Sequence, residues 1–314
     1  MKIEQPITFE PLFMERVWGG RRLESLFGKH LPPTERIGES WEIVDREEAQ
    51  SVVHDGPFRG KTLHELWCEY RAAVFGKAVP DAPRFPLLFK LLDAQERLSV
   101  QVHPPAAIAP ELGGEPKTEM WFVVENHGEG DIFAGVKPGT SREVFEQALA
   151  DGTVETQVHR VQVKAGDTMF IPSGRIHAIG AGNLIVEVQQ NSDTTYRVFD
   201  WNRVSIDGKT RELHVGQSLR SIDFDDVAPA LQTPAGDLLV ECEYFRVERW
   251  MLDAPRVATA PGQFAIFTCL DGVVECGGAK FAAGDFFLVP ATVENCEIKA
   301  QSGSATVLRT TIPG

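Results

Sequence analysis

The chain of 314 residues contains no long uncharged run of apolar side chains. Neither a secretory leader nor a membrane span is expected, and the chain reads as cytoplasmic. Cysteine is sparse and odd in number. Cys68, Cys242, Cys269, Cys276 and Cys296 include no CxxC pair, which argues against a disulfide framework and a thiolate zinc site and for buried free thiols. Positive charge is also in short supply. With 31 Lys and Arg against 45 Asp and Glu, the formal charge is −14 and no basic cluster offsets it. Nucleic acid and anionic membrane surfaces, which bind through phosphate neutralisation, are therefore not expected partners. A small phosphorylated ligand stays open, because a few converging arginines and lysines outweigh a distant acidic surface. Helical periodicity is rare. It is confined to Leu63, Leu66, Trp67, Tyr70 and Val74 behind Thr62, and to the stretch from Ser141 to Gly152 with its cap-like start and glycine stop.

Short strand-like runs separated by turn residues dominate instead: Glu39–Asp45, Leu87–Asp93, Leu98–His103, Glu119–Glu125, Thr168–Pro172, Leu184–Gln190, Leu238–Trp250, Gln263–Leu270 and Phe286–Pro290. That pattern predicts a sandwich or barrel. One stretch is echoed. Ala165-Gly166-Asp167-Thr168-Met169-Phe170-Ile171-Pro172 is similar to Ala283-Gly284-Asp285-Phe286-Phe287-Leu288-Val289-Pro290, which indicates two copies of one β-barrel unit. A boundary is expected where acidic residues, Pro229, Pro234 and Gly236 cluster, dividing the chain into a metal-binding catalytic domain, 1–228, and a ligand-free barrel, 229–314. The second copy cannot repeat a histidine site, since no histidine follows His214.

The chemistry concentrates around Gln101-Val102-His103-Pro104. Alternate strand residues share a face, so Gln101 and His103 can grip one ion from one side. Glu119 and His177 follow on segments that read as neighbouring strands. An amide, a carboxylate and two imidazoles suit zinc or another first-row divalent ion without any sulfur. Each residue alone has an ordinary reading, as a strand end or a loop histidine bonding the backbone; the four together point to one metal in a barrel mouth.

The chain resembles the type I mannose-6-phosphate isomerases in their shorter bacterial form. The carriers are Val17-Trp18-Gly19-Gly20, Gly38-Glu39-Ser40-Trp41-Glu42, Phe89-Lys90-Leu91-Leu92, Leu98 through Pro104, Lys117-Thr118-Glu119-Met120, Ile171-Pro172-Ser173-Gly174 with His177, and Asn191 through Arg197. The resemblance implies a double cupin fold, with two β-barrel or jelly-roll units and a few flanking helices. It also implies one zinc ion per chain on Gln101, His103, Glu119 and His177, and interconversion of mannose 6-phosphate and fructose 6-phosphate through an enediolate. Arg197 matches the family's active-site arginine. Lys117 would share a strand face with Glu119 and carry a proton or stabilise charge; Glu187, an acid inside an apolar strand, is either the base or an acceptor orienting a ligand. Ser99, Arg203 and Lys90 are candidates for holding the substrate. Two alternatives keep the pocket: another metal-dependent sugar-phosphate isomerase, or a non-enzymatic sugar-binding regulator.

Overall fold

The computed structural model describes residues 3–128, 130–201, 203 and 209–313. The helices are short: α1 (Arg22–Phe27), α2 (Leu63–Glu69), α3 (Arg71–Val74), α4 (Arg142–Ala150) and α5 (Val215–Ser221). Thr62 caps α2 by accepting from Glu65 N at 3.1 Å while its own N–H donates to the Glu65 carboxylate at 2.7 Å; Ser141 caps α4 through Val144 N. Among the described residues no helix is long and apolar enough to cross a membrane.

Strands carry the architecture. In chain order they are β1 (Leu12–Gly20), β2 (Ile37–Ile43), β3 (Leu87–Ala94), β4 (Val100–Val102), β5 (Glu119–Asn126), β6 (Asp131–Val136), β7 (Val158–Gln162), β8 (Thr168–Ile171), β9 (His177–Ile179), β10 (Asn183–Gln190) and β11 (Tyr196–Phe199). They continue with β12 (Leu238–Glu241), β13 (Arg246–Leu252), β14 (Arg256–Val257), β15 (Ala265–Asp271), β16 (Val273–Cys276), β17 (Ala279–Ala282), β18 (Phe286–Val289), β19 (Glu297–Ala300) and β20 (Ala305–Thr311). Four sheets result, in the orders β1-β2-β3-β10-β5-β8, β11-β4-β9-β6-β7, β12-β13-β20-β15-β18 and β14-β19-β16-β17.

The protein is mainly β, but the expected double cupin of two closed barrel or jelly-roll units is not what forms. Each sheet is open and ends on strands with a single laddered neighbour: β1 and β8, β11 and β7, β12 and β18, β14 and β17. A barrel needs its terminal strands to pair, and among the described residues none of these pairs does. The sequence echo has a structural counterpart all the same. The orders β3-β10-β5-β8 and β13-β20-β15-β18 match strand for strand, and the echoed stretches form the end strands β8 and β18. Each is entered through a glycine in a left-handed turn, Gly166 at φ 90° and Gly284 at φ 87°.

Alternation along the six-stranded sheet sorts its two faces. Phe89, Leu91, Met120, Phe122, Val186 and Val188 point one way and pack with Ile266, Leu288 and Leu308 of the third sheet. Leu92, Trp121, Val123 and Ile185 point the other way, toward Ile132, Ala134 and Ile179 of the second sheet. A further core of Phe267, Phe287, Val274, Ile298 and Val307 fills the space between the third and fourth sheets. Burial of side chains this size stabilises by roughly 1.5–3 kcal/mol each, which explains how a polar site survives between the first two layers. Three of the cysteines, Cys269, Cys276 and Cys296, are buried as expected, whereas Cys68 is exposed. Two glycines of the resembling motifs make a close crossing. A Cβ on Gly19 would stand 2.4 Å from Gly38 N, so only glycine lets β1 and β2 approach where Trp18 and Glu39 turn inward.

Candidate metal centre

Register places the candidate ligands. Across the second sheet Arg197 of β11 lies opposite Gln101 of β4, Gln101 opposite His177 of β9, and His177 opposite Ala134 of β6, so these side chains leave one face in a row. Glu119 opens β5 on the facing sheet, between Gln189 and Ile171. His103 follows β4 directly.

His103 Nδ1 contacts Thr194 O at 2.8 Å and His177 Nδ1 contacts Arg175 O at 2.9 Å, which turns both Nε2 atoms toward the centre, that of His103 without a hydrogen bond. Each Nε2 stands 3.6 Å from a different oxygen of Glu119. One ligand atom from each of the three residues lies within 4.8 Å of the others, and all three residues are buried. Gln101 Nε2 sits 3.2 Å from His177 Nε2; turning the amide over presents its carbonyl oxygen instead. His103 Nε2 and both Glu119 oxygens are buried without a well-formed hydrogen bond, although Lys117 Nζ forms an ion pair with Glu119 Oε2 at 2.9 Å. One bare imidazole nitrogen, a second met only by the Gln101 amide, and an under-satisfied carboxylate converging among buried side chains are what a divalent cation requires.

The electrostatics agree. Burial and the Lys117 ammonium lower His103 to about 3, and burial lowers His177, so both imidazoles are neutral and able to ligate. Glu119 would be raised by burial, but the Lys117 ammonium holds it well below the carboxylate range. Glu187 is raised, first by burial and then by Glu119.

A cavity of about 430 Å³ opens beside this cluster, lined by Arg16, Trp18, Glu39, Lys90, Leu92, Leu98, Ser99, Gln101, Lys117, Ile179, Glu187, Asp193, Thr195, Arg197 and Arg211. Another row, Trp41, Lys90, Glu187, Trp121 and Met169, runs across the six-stranded sheet. Trp121 donates to Glu187 at 3.0 Å and sets its ring edge-on to His177 at 5.3 Å, so one indole touches both the buried acid and a candidate ligand. Lys90 Nζ lies 3.3 Å and Lys117 Nζ 4.0 Å from Glu187.

Of the residues singled out from sequence, Ser99, Lys90, Lys117, Glu187, Arg197 and Gln101 line the cavity, with His103, Glu119 and His177 clustered behind. Arg203 is placed differently. It donates to Arg97 O and to Asp200 at 2.6 Å and stands outside the lining. Arg16, Glu39, Asp193, Thr195 and Arg211 line the cavity and were not singled out. Glu39 and Trp41 stand two apart on β2, a spacing that signals a shared face, whereas Arg211 lies in a stretch without periodicity.

A wider depression of about 580 Å³ lies elsewhere, at Arg46, Arg84 and Asn191, but among the described residues lacks such a cluster; its arginines are already paired with Glu48, Glu115, Asp45 and Glu47.

Cluster and cavity together make a candidate metal centre open to a small molecule. Residues 7–132 match the catalytic domain of type I phosphomannose isomerase. The mannose-6-phosphate isomerase ManA of Bacillus subtilis is 37% identical over 299 residues, covering 91% of this chain and 93% of its own. The mannose-6-phosphate isomerase of Streptococcus mutans is 37% identical over 304 residues, covering 91% and 94%. The crystal structure of the Bacillus subtilis mannose 6-phosphate isomerase superimposes with a TM-score of 0.87 at 33% identity, covering 98% of this chain and all of that one. The chain belongs to the type I phosphomannose isomerase family, the family of metal-dependent sugar-phosphate isomerases.

Proposed function

We propose that the protein interconverts mannose 6-phosphate and fructose 6-phosphate, with one zinc ion per chain held by Gln101, His103, Glu119 and His177. The observation that carries this reading is the convergence of buried ligand atoms beside a cavity rich in basic side chains, in a chain belonging to this family. When bound, zinc polarises the sugar's reacting oxygens and eases loss of the neighbouring carbon-bound proton.

The chain's own groups do the rest. Isomerisation moves one proton from C2 of the aldose to C1 and one between the two oxygens, through an enediolate. Glu187 takes the carbon-bound proton: burial raises its affinity for protons, which suits a base that must also return them. Lys117, fixed against Glu119 at 2.9 Å and near Glu187, serves the oxygens. Arg197 bonds Glu212 O at 2.9 Å through Nη1, while its Nε is buried without a partner, which leaves charge to stabilise the enediolate. Ser99 and Lys90 contact the sugar from the cavity wall, and Arg203 supports the phosphate end from behind Asp200. Conversion of fructose 6-phosphate to mannose 6-phosphate by purified protein, with zinc content and chelator sensitivity followed together, tests the proposal. Turnover indifferent to chelation and to His103→Ala would refute it.

A further inference from the structure

The cavity has two electrostatic ends. At its buried floor the cations are matched: Lys117 faces Glu119, and Lys90 faces Glu187 at 3.3 Å and Glu39 at 3.8 Å. A divalent metal at that end adds positive charge where acids already wait. The other end is different. Asp200, buried at 5% exposure, receives Arg211 through both Nε, at 2.7 Å, and Nη2, and Arg203 Nη2 at 2.6 Å, and Arg197 stands beside them. Three guanidiniums around one carboxylate leave a surplus of two positive charges, and Arg197 and Arg203 each have a buried Nε without a partner. Glu212 contributes its main-chain carbonyl to this group, and its exposed carboxylate acts only from a distance.

Arg211 reaches this place through backbone pairing. His214 N donates to Arg197 O at 2.8 Å, and Arg197 N donates to His214 Nδ1 at 3.2 Å, which ties the segment carrying Arg211 to β11 at His214. Asp200 then aims the guanidinium, and the side chain forms part of the cavity lining, which Arg203 does not. We infer that Arg211, positioned by Asp200, is the residue that reads the substrate's phosphate and so selects phosphate monoesters over neutral sugars. With Nε and one Nη2 hydrogen of its planar fork committed to Asp200, Nη1 and the other Nη2 hydrogen remain for charge-assisted hydrogen bonds to a phosphate oxygen. Asp200 is a positioning residue: it touches no substrate and acts by holding two arginines at a fixed angle.

The inference rests on the isomerase reading for its substrate, so the test has two arms. In steady-state kinetics with fructose 6-phosphate, Arg211→Met raises KM by about 10- to 100-fold, the range for losing a charge-assisted hydrogen bond, with a much smaller fall in kcat. Arg211→Lys, which keeps the charge but not the fork, recovers part of the loss, and Asp200→Asn gives a smaller rise in KM with kcat again little changed. In calorimetric titration with inorganic phosphate, the wild type binds and Arg211→Met binds at least about tenfold more weakly. An inactive wild type that still loses phosphate affinity on Arg211→Met would reject the isomerase and keep the phosphate reader. An active wild type whose KM and phosphate affinity are untouched in both Arg211 variants overturns the inference alone.

Discussion

His103→Ala isolates the metal's share of stability. The ring is 1% exposed, its Nδ1 engages Thr194 O, and its Nε2 faces the cluster with no hydrogen bond. In metal-free protein the substitution removes ring packing and one hydrogen bond but also removes a buried unsatisfied nitrogen, for a net cost on the order of 1–3 kcal/mol. In the presence of zinc the difference grows. Wild type at a free zinc concentration about 1,000 times Kd gains about 4 kcal/mol, which for a chain of this size raises Tm by roughly 8 °C. Loss of an outer partner of a metal ligand typically weakens binding about 10- to 100-fold, and loss of a direct ligand costs at least as much. At the same zinc concentration the variant then gains at most about 2.7 kcal/mol, and its Tm rises by no more than about 5 °C. Chelator-treated wild type and variant, melted with and without zinc and checked for metal content by mass spectrometry, give both increments. A wild type unmoved by zinc, or a variant with the full increment, would falsify the assignment of His103 as a ligand.

Glu39 is held at about 2 because Lys90, Arg16 and the Trp41 indole more than offset the upward push of burial. The folded chain therefore binds this proton more weakly than the unfolded chain, whose carboxyl titrates near 4.5. The resulting stability, on the order of 3 kcal/mol, is fully present above pH 4.5 and is lost as pH falls toward 2; urea melts at descending pH should show that slope, flattened in Glu39→Gln. Trp121→Phe deletes the hydrogen bond to Glu187 while keeping a ring beside His177, so turnover should drop about tenfold at unchanged zinc content; coincident loss of zinc would contradict the separation of roles. Phe267 is fully buried between Phe287 and Trp250, at 5.2 and 5.8 Å between ring centroids. Phe267→Ala should cost about 3–5 kcal/mol in denaturant unfolding yet leave kcat per folded molecule intact, and a kcat that fell in step with stability would tie this remote core to the site.

Much of the candidate site was legible along the chain because its residue types recur at short range. Gln101 and His103 announce a shared direction through the strand period of two, and so do Lys117 and Glu119. The caps at Thr62 and Ser141 are equally local, and both form. The echo of Ala165–Pro172 in Ala283–Pro290 foretold equivalent strands in two sheets. It did not foretell that the sheets stay open, because closure depends on whether remote terminal strands such as β1 and β8 meet.

Donor identity, strand period, helix caps and overall acidity are properties of neighbouring residues, and the order of amino acids alone determined them. Convergence was decided in three dimensions: Glu119 meets two imidazoles because its sheet packs one apolar face, with Leu92, Trp121 and Ile185, on the sheet carrying Gln101 and His177. The exchange of Arg203 for Arg211 on the cavity wall has the same origin. Residue spacing orders charges along the chain, but backbone pairing at His214 and the two oxygens of Asp200 choose which guanidinium turns inward. Contacts of that kind join residues with no periodic relation, so their geometry exists only once the layers have packed.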